Sequence, residues 1–175
     1  QQESANMSKR VKFGKDITAK KGRVPNLVFG YDKIPDEKYI LKINEEEAKI
    51  VKEIFESYVY KGMGTTKIAW ELNDKGIRTK KTKSKWVQTS IVRMLKNPIY
   101  TGRITNKKSE ITDFITGTRK DLPEDEWIIV EKMHEPIIDK ELFKKAQGLR
   151  KVDTRVQYSG TLSMWAGVLK CADCG

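Results

Sequence analysis

The stretch Lys75–Lys96, KGIRTKKTKSKWVQTSIVRMLK, holds eight Lys or Arg and no Asp or Glu. Beyond Trp86 its pattern turns helical. On a wheel of about 100° per residue, Val87, Ile91, Met94 and Leu95 fall on one side, and Thr89, Arg93 and Lys96 on the other. The last three are spaced i, i+4, i+7, so such a helix buries one face and offers a hydroxyl and two cations to a polyanion. Asn97-Pro98 marks its end, because the residue before a proline is biased out of the α region. In isolation the same residues also suit a solvated basic loop ahead of an ordinary amphipathic helix. The surrounding chain decides between the two.

A net charge of +11 over 175 residues directs the whole chain toward polyanions: DNA, RNA or an acidic membrane surface. The length allows one or two domains with one core of ordinary size. No apolar run approaches the roughly 20 residues of a spanning helix, and no signal-peptide pattern opens the chain. A soluble, cytoplasmic chain is therefore expected. Its start at Gln1, without a methionine, reads as a piece of a longer protein.

Outward from the basic stretch, the elements can be set in order. Residues 3–21 predict a helix with a thin apolar stripe of Met7, Val11 and Ile17 among many lysines. Such a helix suits lying on another surface, a nucleic-acid backbone included, or a frayed tail. Gly22–Asn26 breaks it into a cationic extended linker, where Arg23 with Lys20 and Lys21 can follow a phosphate backbone or a narrow minor groove. A plain interdomain linker is the alternative. Leu27–Tyr31 and Tyr39–Ile43 suit small strands or packed extended segments. Asn44 is a predicted N-cap, with Glu47 three residues on as its capping-box partner, and Ala48, Val51, Ile54, Phe55 and Tyr58 on the buried face. Gly62 and Gly64 close that helix. Thr65–Lys75 follows, with Ile68, Ala69 and Leu72 inward, Gly76 as left-handed stop, and Trp70 expected to be packed.

Helix, tight turn, helix, basic loop, helix is a helix-turn-helix order whose third member is the 88–96 helix, the one that enters a major groove in that motif. The loop before it is longer than in the minimal motif, and Trp86 is placed to staple Ile91. From Ile99 the period shortens: Tyr100–Asn106, Ile111–Thr116 and Trp127–Glu131 predict a small antiparallel sheet, and Asp139–Arg150 a closing helix with Leu142, Phe143 and Ala146 inward. The fold class expected is α+β, a mainly helical helix-turn-helix-like DNA-binding domain with a small antiparallel sheet. Its divisions are 1–24, 25–150 and 151–175.

Chemistry is sparse. His134 is the one histidine, which excludes a site built on several imidazoles and favours a packing or capping role. The acidic run Asp121, Glu124, Asp125, Glu126 reads as a solvated loop. No nucleophile elbow, P-loop or dinucleotide glycine pattern occurs, so no catalytic residue is assigned. Cys171 and Cys174 form a C-x-x-C, half of a zinc knuckle or, less favoured, a redox pair; structural zinc takes four ligands and two are present. The DNA-facing candidates are Thr89 and Arg93 for bases, by way of a thymine methyl and a guanine edge, with Lys96 beside them on the same stripe. Lys80, Lys81, Lys83, Lys85 and Arg23 are the candidates for phosphates.

Several stretches together resemble the middle region of a large serine recombinase. They are Gly22-Arg23 with Phe29-Gly30-Tyr31, Ile68-Ala69-Trp70-Glu71-Leu72-Asn73 with Gly76-Ile77, and Trp86. Ile91-Val92-Arg93-Met94-Leu95-Lys96-Asn97-Pro98-Ile99-Tyr100 with Gly102 follows, then His134-Glu135-Pro136-Ile137-Ile138, and Gly167-Val168-Leu169-Lys170-Cys171 with Cys174-Gly175. The resemblance implies that residues 1–21 end a long helix leaving a catalytic domain, that 25–150 form the recombinase domain, and that 161–175 open a zinc ribbon. It also implies double-stranded DNA as partner, zinc in the full-length protein, dimers or tetramers there, and strand cleavage by a serine that this chain lacks. A free-standing helix-turn-helix regulator or a structured-RNA-binding module is the alternative, and a catalytic domain preceding Gln1 would separate the two.

Overall fold

Asn44 opens the helix around which the other elements assemble. The computed structural model describes residues 2–24, 26–34, 39–80, 84–111 and 117–151. The Asn44 side chain accepts the Glu47 amide at 3.1 Å, capping α2 (Glu45–Val59) as its sequence predicts. The reciprocal half of the capping box is diverted. The Asn44 amide donates to the Gly30 carbonyl, and Glu47 Oε2 accepts the Gly30 amide at 2.8 Å. The cap therefore also fixes the turn at Gly30, where φ is +95° and a Cβ would stand 2.8 Å from Ile137 and 3.1 Å from Val51. Only glycine fits there.

α2 drives Val51, Ile54 and Phe55 into a core shared with Ile68, Ala69 and Leu72 of α3 (Thr65–Asp74). Ile91, Met94 and Leu95 of α4 (Gln88–Lys96) and Ala146 of α5 (Lys140–Lys151) complete it. α5 packs on α2, and α4 packs on both α3 and α5. Gly76, at φ +72°, stops α3; its amide bonds Asn73 and the Ile77 amide bonds Leu72. Tyr31 ties a distant segment in, donating its hydroxyl to the Glu135 carbonyl at 2.9 Å and accepting the Ile137 amide at 3.2 Å. His134 stands edge-on to Tyr31, with Nε2 2.6 Å from the Ile99 carbonyl. Burial lowers its pKa against the opposing pull of that carbonyl, and the ring is part of the packing around Tyr31.

The strands form three separate two-stranded antiparallel ribbons among the described residues, where one small sheet was expected. β1 (Tyr31–Lys33) pairs β2 (Leu41–Ile43), β3 (Arg103–Asn106) pairs β6 (Ile128–Glu131), and β4 (Ser109–Ile111) pairs β5 (Arg119–Asp121). The division has a local cause. Lys107 and Lys132 directly follow β3 and β6 with φ of 57° and 58°, turning the chain out of that ribbon on both sides. Residues 112–116 of the expected Ile111–Thr116 strand lie outside the described residues.

α1 (Gln2–Lys20) is the helix expected over 3–21, and Met7, Val11, Phe13 and Ile17 are exposed on it. Its opposite side is fastened by Lys12 to Glu110 at 2.9 Å and by Lys107 to Asp16 at 3.3 Å. Asn106 also donates to the Arg23 carbonyl at 3.0 Å. No helix among the described residues is long and apolar enough to cross a membrane.

Candidate nucleic-acid interface

α4 follows the phase read from its sequence. Ile91, Met94 and Leu95 are buried, while Thr89, Arg93 and Lys96 are exposed on the other side. No carboxylate lies on the helix, and neither Arg93 nor Lys96 has an ion-pair partner among the described residues. Both cations occupy the last turn, where the helix dipole favours positive charge. Val87 departs from the expected buried side. It is the N-cap, outside the helical phase, and stands exposed.

The start of α4 is locked to α3. Asn73 accepts the Trp86 amide at 2.7 Å and donates to the Trp86 carbonyl at 2.8 Å. Trp86 is buried, edge-on to Phe29 with ring centroids 5.0 Å apart, and shares the core cluster with Ile91. The outward set on α4 thus rides on a rigid support.

The basic loop resolves into lysines with different tasks. Lys80 sits between two carboxylates, 2.6 Å from Asp32 Oδ1 and 2.7 Å from Glu47 Oε2, with its side chain 16% exposed. Burial by itself would lower its pKa; the bonds to Asp32 and Glu47 outweigh that and raise it. Asp32 is held below its usual value by Lys80 first and by Asn44 second. Two of its three N–H donors are thereby committed within the fold. Thr79 and Ser84 close the base of the loop, the Thr79 amide bonding the Ser84 carbonyl at 3.1 Å and the Ser84 amide bonding Thr79 Oγ1 at 3.2 Å. Lys85 is exposed. Lys81 and Lys83 lie outside the described residues, as do Cys171, Cys174 and the whole of 161–175.

Lys85, Thr89, Arg93 and Lys96 are thereby collected on α4 and its approach, whereas Arg23 belongs to a different support. Its amide bonds the Thr18 carbonyl, its own carbonyl takes Asn106, and its side chain is exposed. The acidic run Asp121–Glu126 is exposed apart from Leu122. No group of three or more metal-ligating side chains occurs among the described residues.

Trp70 corrects the expectation of a packed indole: it is 70% exposed. Helix phase decides this, since Trp70 lies opposite Ile68 and Leu72 on the α3 wheel, and the tendency of aromatics toward burial yields to it. With Lys67, also exposed, it forms part of the outer surface of α3, and the wheel carried the signal for that placement.

The family model Recombinase matches residues 45–152. The chain is 30% identical over 97 residues to the uncharacterized protein YefB of Bacillus subtilis (strain 168), a match covering 55% of this chain and 32% of YefB. Its fold is similar to a chain of a structure described as "Crystal Structure of a LSR-DNA Complex", with TM-score 0.60 and 23% identity, covering 95% of this chain and 46% of that one. It is also similar to a chain from "Sequence Requirements of the Listeria innocua prophage attP site", with TM-score 0.56 and 24% identity, covering 82% of this chain and 52% of that one. The chain thus spans about a third to a half of these relatives. The Recombinase match takes in more than half of the sequence, including α2 to α5 and the exposed face of α4, and the chain belongs to the Recombinase family.

Proposed function

We propose that this chain is the DNA-binding region of a site-specific serine recombinase, recognising attachment-site DNA in integration, excision or transposition. The observation that carries the reading is the outer face of α4, where Thr89, Arg93 and Lys96 are exposed with no carboxylate on the helix. An α-helix fits the major groove of B-form DNA, where Arg pairs bidentately with guanine and Thr meets a thymine methyl. Lys85, with Lys81 and Lys83 of the same loop and Arg23 on its separate support, neutralises phosphates and sets position without reading sequence. Lys80 steadies the loop from inside. The narrow major groove of duplex RNA does not admit such a helix, so DNA is favoured over structured RNA.

Strand cleavage, in this reading, belongs to another part of the protein, as does assembly into dimers or tetramers. Cys171 and Cys174 would give zinc two of its four ligands. A cytoplasmic location follows from the DNA substrate. The test is a titration of the chain against duplex DNA over a range of salt. With five to eight phosphates neutralised, log K falls against log salt with a slope of about −4 to −7. A flat dependence, or equal affinity for duplex RNA, contradicts the proposal.

A further inference from the structure

Trp70 and Val87, the latter 53% exposed, line one groove between the outer side of α3 and the start of α4, together with Thr66, Lys85, Trp86 and Gln88. The base-reading stripe of α4, Thr89, Arg93 and Lys96, uses none of these six. A tryptophan this exposed leaves a large apolar face in water, and here it stands beside a cation and the amino end of a helix.

We infer that this groove seats the sugar–phosphate backbone of duplex DNA, the Trp70 indole lying on deoxyribose while Lys85 and the first amides of α4 face a phosphate. The inference rests on the DNA-binding reading and adds a contact surface to it. Val87 as N-cap supplies no side-chain acceptor, so the first turn of α4 is not capped by its own side chains. The free amides and the positive end of the helix dipole together favour an anion there. Trp86, 5% exposed, forms part of the groove wall, and its indole N–H has no acceptor among the described residues. That nitrogen is itself buried, so the donors open to the groove are Lys85 and the start of α4.

Two carboxylates, Glu71 and Asp74, also border the groove. On the α3 wheel they share a flank with Lys67, Asp74 adjoining Trp70 and Glu71 farther round, opposite Asn73, the residue that clamps Trp86. The α4 side is left to Lys85. Gln88 lines the groove and Thr89, next in sequence, begins the outward stripe, so a strand held here borders the major groove that α4 would enter. Deoxyribose against an indole is indifferent to base sequence, which makes this a positioning contact.

The experiment measures binding of the 175-residue chain to a mixed-sequence DNA duplex at several salt concentrations. Trp70→Ala is expected to weaken binding about tenfold through lost apolar burial, with the salt slope unchanged and the melting temperature preserved. Trp70→Phe recovers most of the loss. Lys85→Ala reduces the slope by about one. If Trp70→Ala and Trp70→Phe both bind as the unsubstituted chain does, while that chain still binds with a steep salt dependence, the groove lies off the DNA. The inference then falls and the DNA-binding reading stands. A fall in slope on Trp70→Ala also overturns it, since an apolar contact releases no counterions. Absence of salt-dependent binding by the unsubstituted chain overturns the functional reading itself.

Discussion

Lys80 and Lys85 lie five residues apart in one basic run, and the fold gives them opposite assignments. Lys80 is bonded to Asp32 and Glu47 from two other elements, while Lys85 faces solvent. Lys80→Met is expected to destabilise the fold by about 1–3 kcal/mol, since it strips two carboxylates of a charged donor, yet to leave the salt slope of DNA binding intact. Thermal melting together with the titration checks both halves, and a slope reduced by one would place Lys80 on a phosphate. The pair also sets a pH dependence. Because Lys80 and Asn44 hold the folded Asp32 below the ordinary aspartate value, its stabilising contribution is present above that value and lost as pH falls through the lower folded one. Melting temperature should therefore drop on acidification in that range, and Asp32→Asn should lose part of the drop. None of this division was legible in the sequence, where every lysine of the run looks alike. Asp32 and Glu47 stand far from Lys80 along the chain and meet it only through the turn at Gly30.

The elements were far more readable than their charges. α4 declared its buried and outward faces through the spacing of Ile91, Leu95, Thr89 and Arg93, and α2 declared its start through Asn44. Because Leu95 is sealed in the core, Leu95→Ala should cost about 2–5 kcal/mol in chemical denaturation. Gly76→Ala has open space around it, so its cost of about 1–2 kcal/mol would come from the left-handed backbone alone. A neutral Gly76→Ala would contradict the stop assigned to α3. β5 was not legible: Arg119-Lys120-Asp121 has no β-branched or aromatic residue, and its strand geometry comes from pairing with β4. Trp70 was misread for a different reason, since residue type argued for burial while its position on the wheel argued against.

At the scale of the molecule, α2 to α5 form one packed support and the three ribbons extend it, with α1 fastened along β3 and β4 by side-chain bonds. The support explains how a nine-residue helix can present its outer face in one fixed direction. Isolated helices of that length are not stable in water, so the orientation of Arg93 is a property of the whole fold. Family membership was legible in the order of short motifs, but the placement of Arg23 apart from the α4 set was not. That depends on how Asn106 and Thr18 capture the chain after α1.

The central claim is that the outer face of α4 reads base sequence, and selection from a random-sequence duplex pool tests it most directly. The unsubstituted chain should enrich a defined motif, and Arg93→Ala should lose preference at a guanine within it while keeping general affinity. Enrichment of the same motif to the same degree by Arg93→Ala, or no enrichment by the unsubstituted chain, would contradict the account.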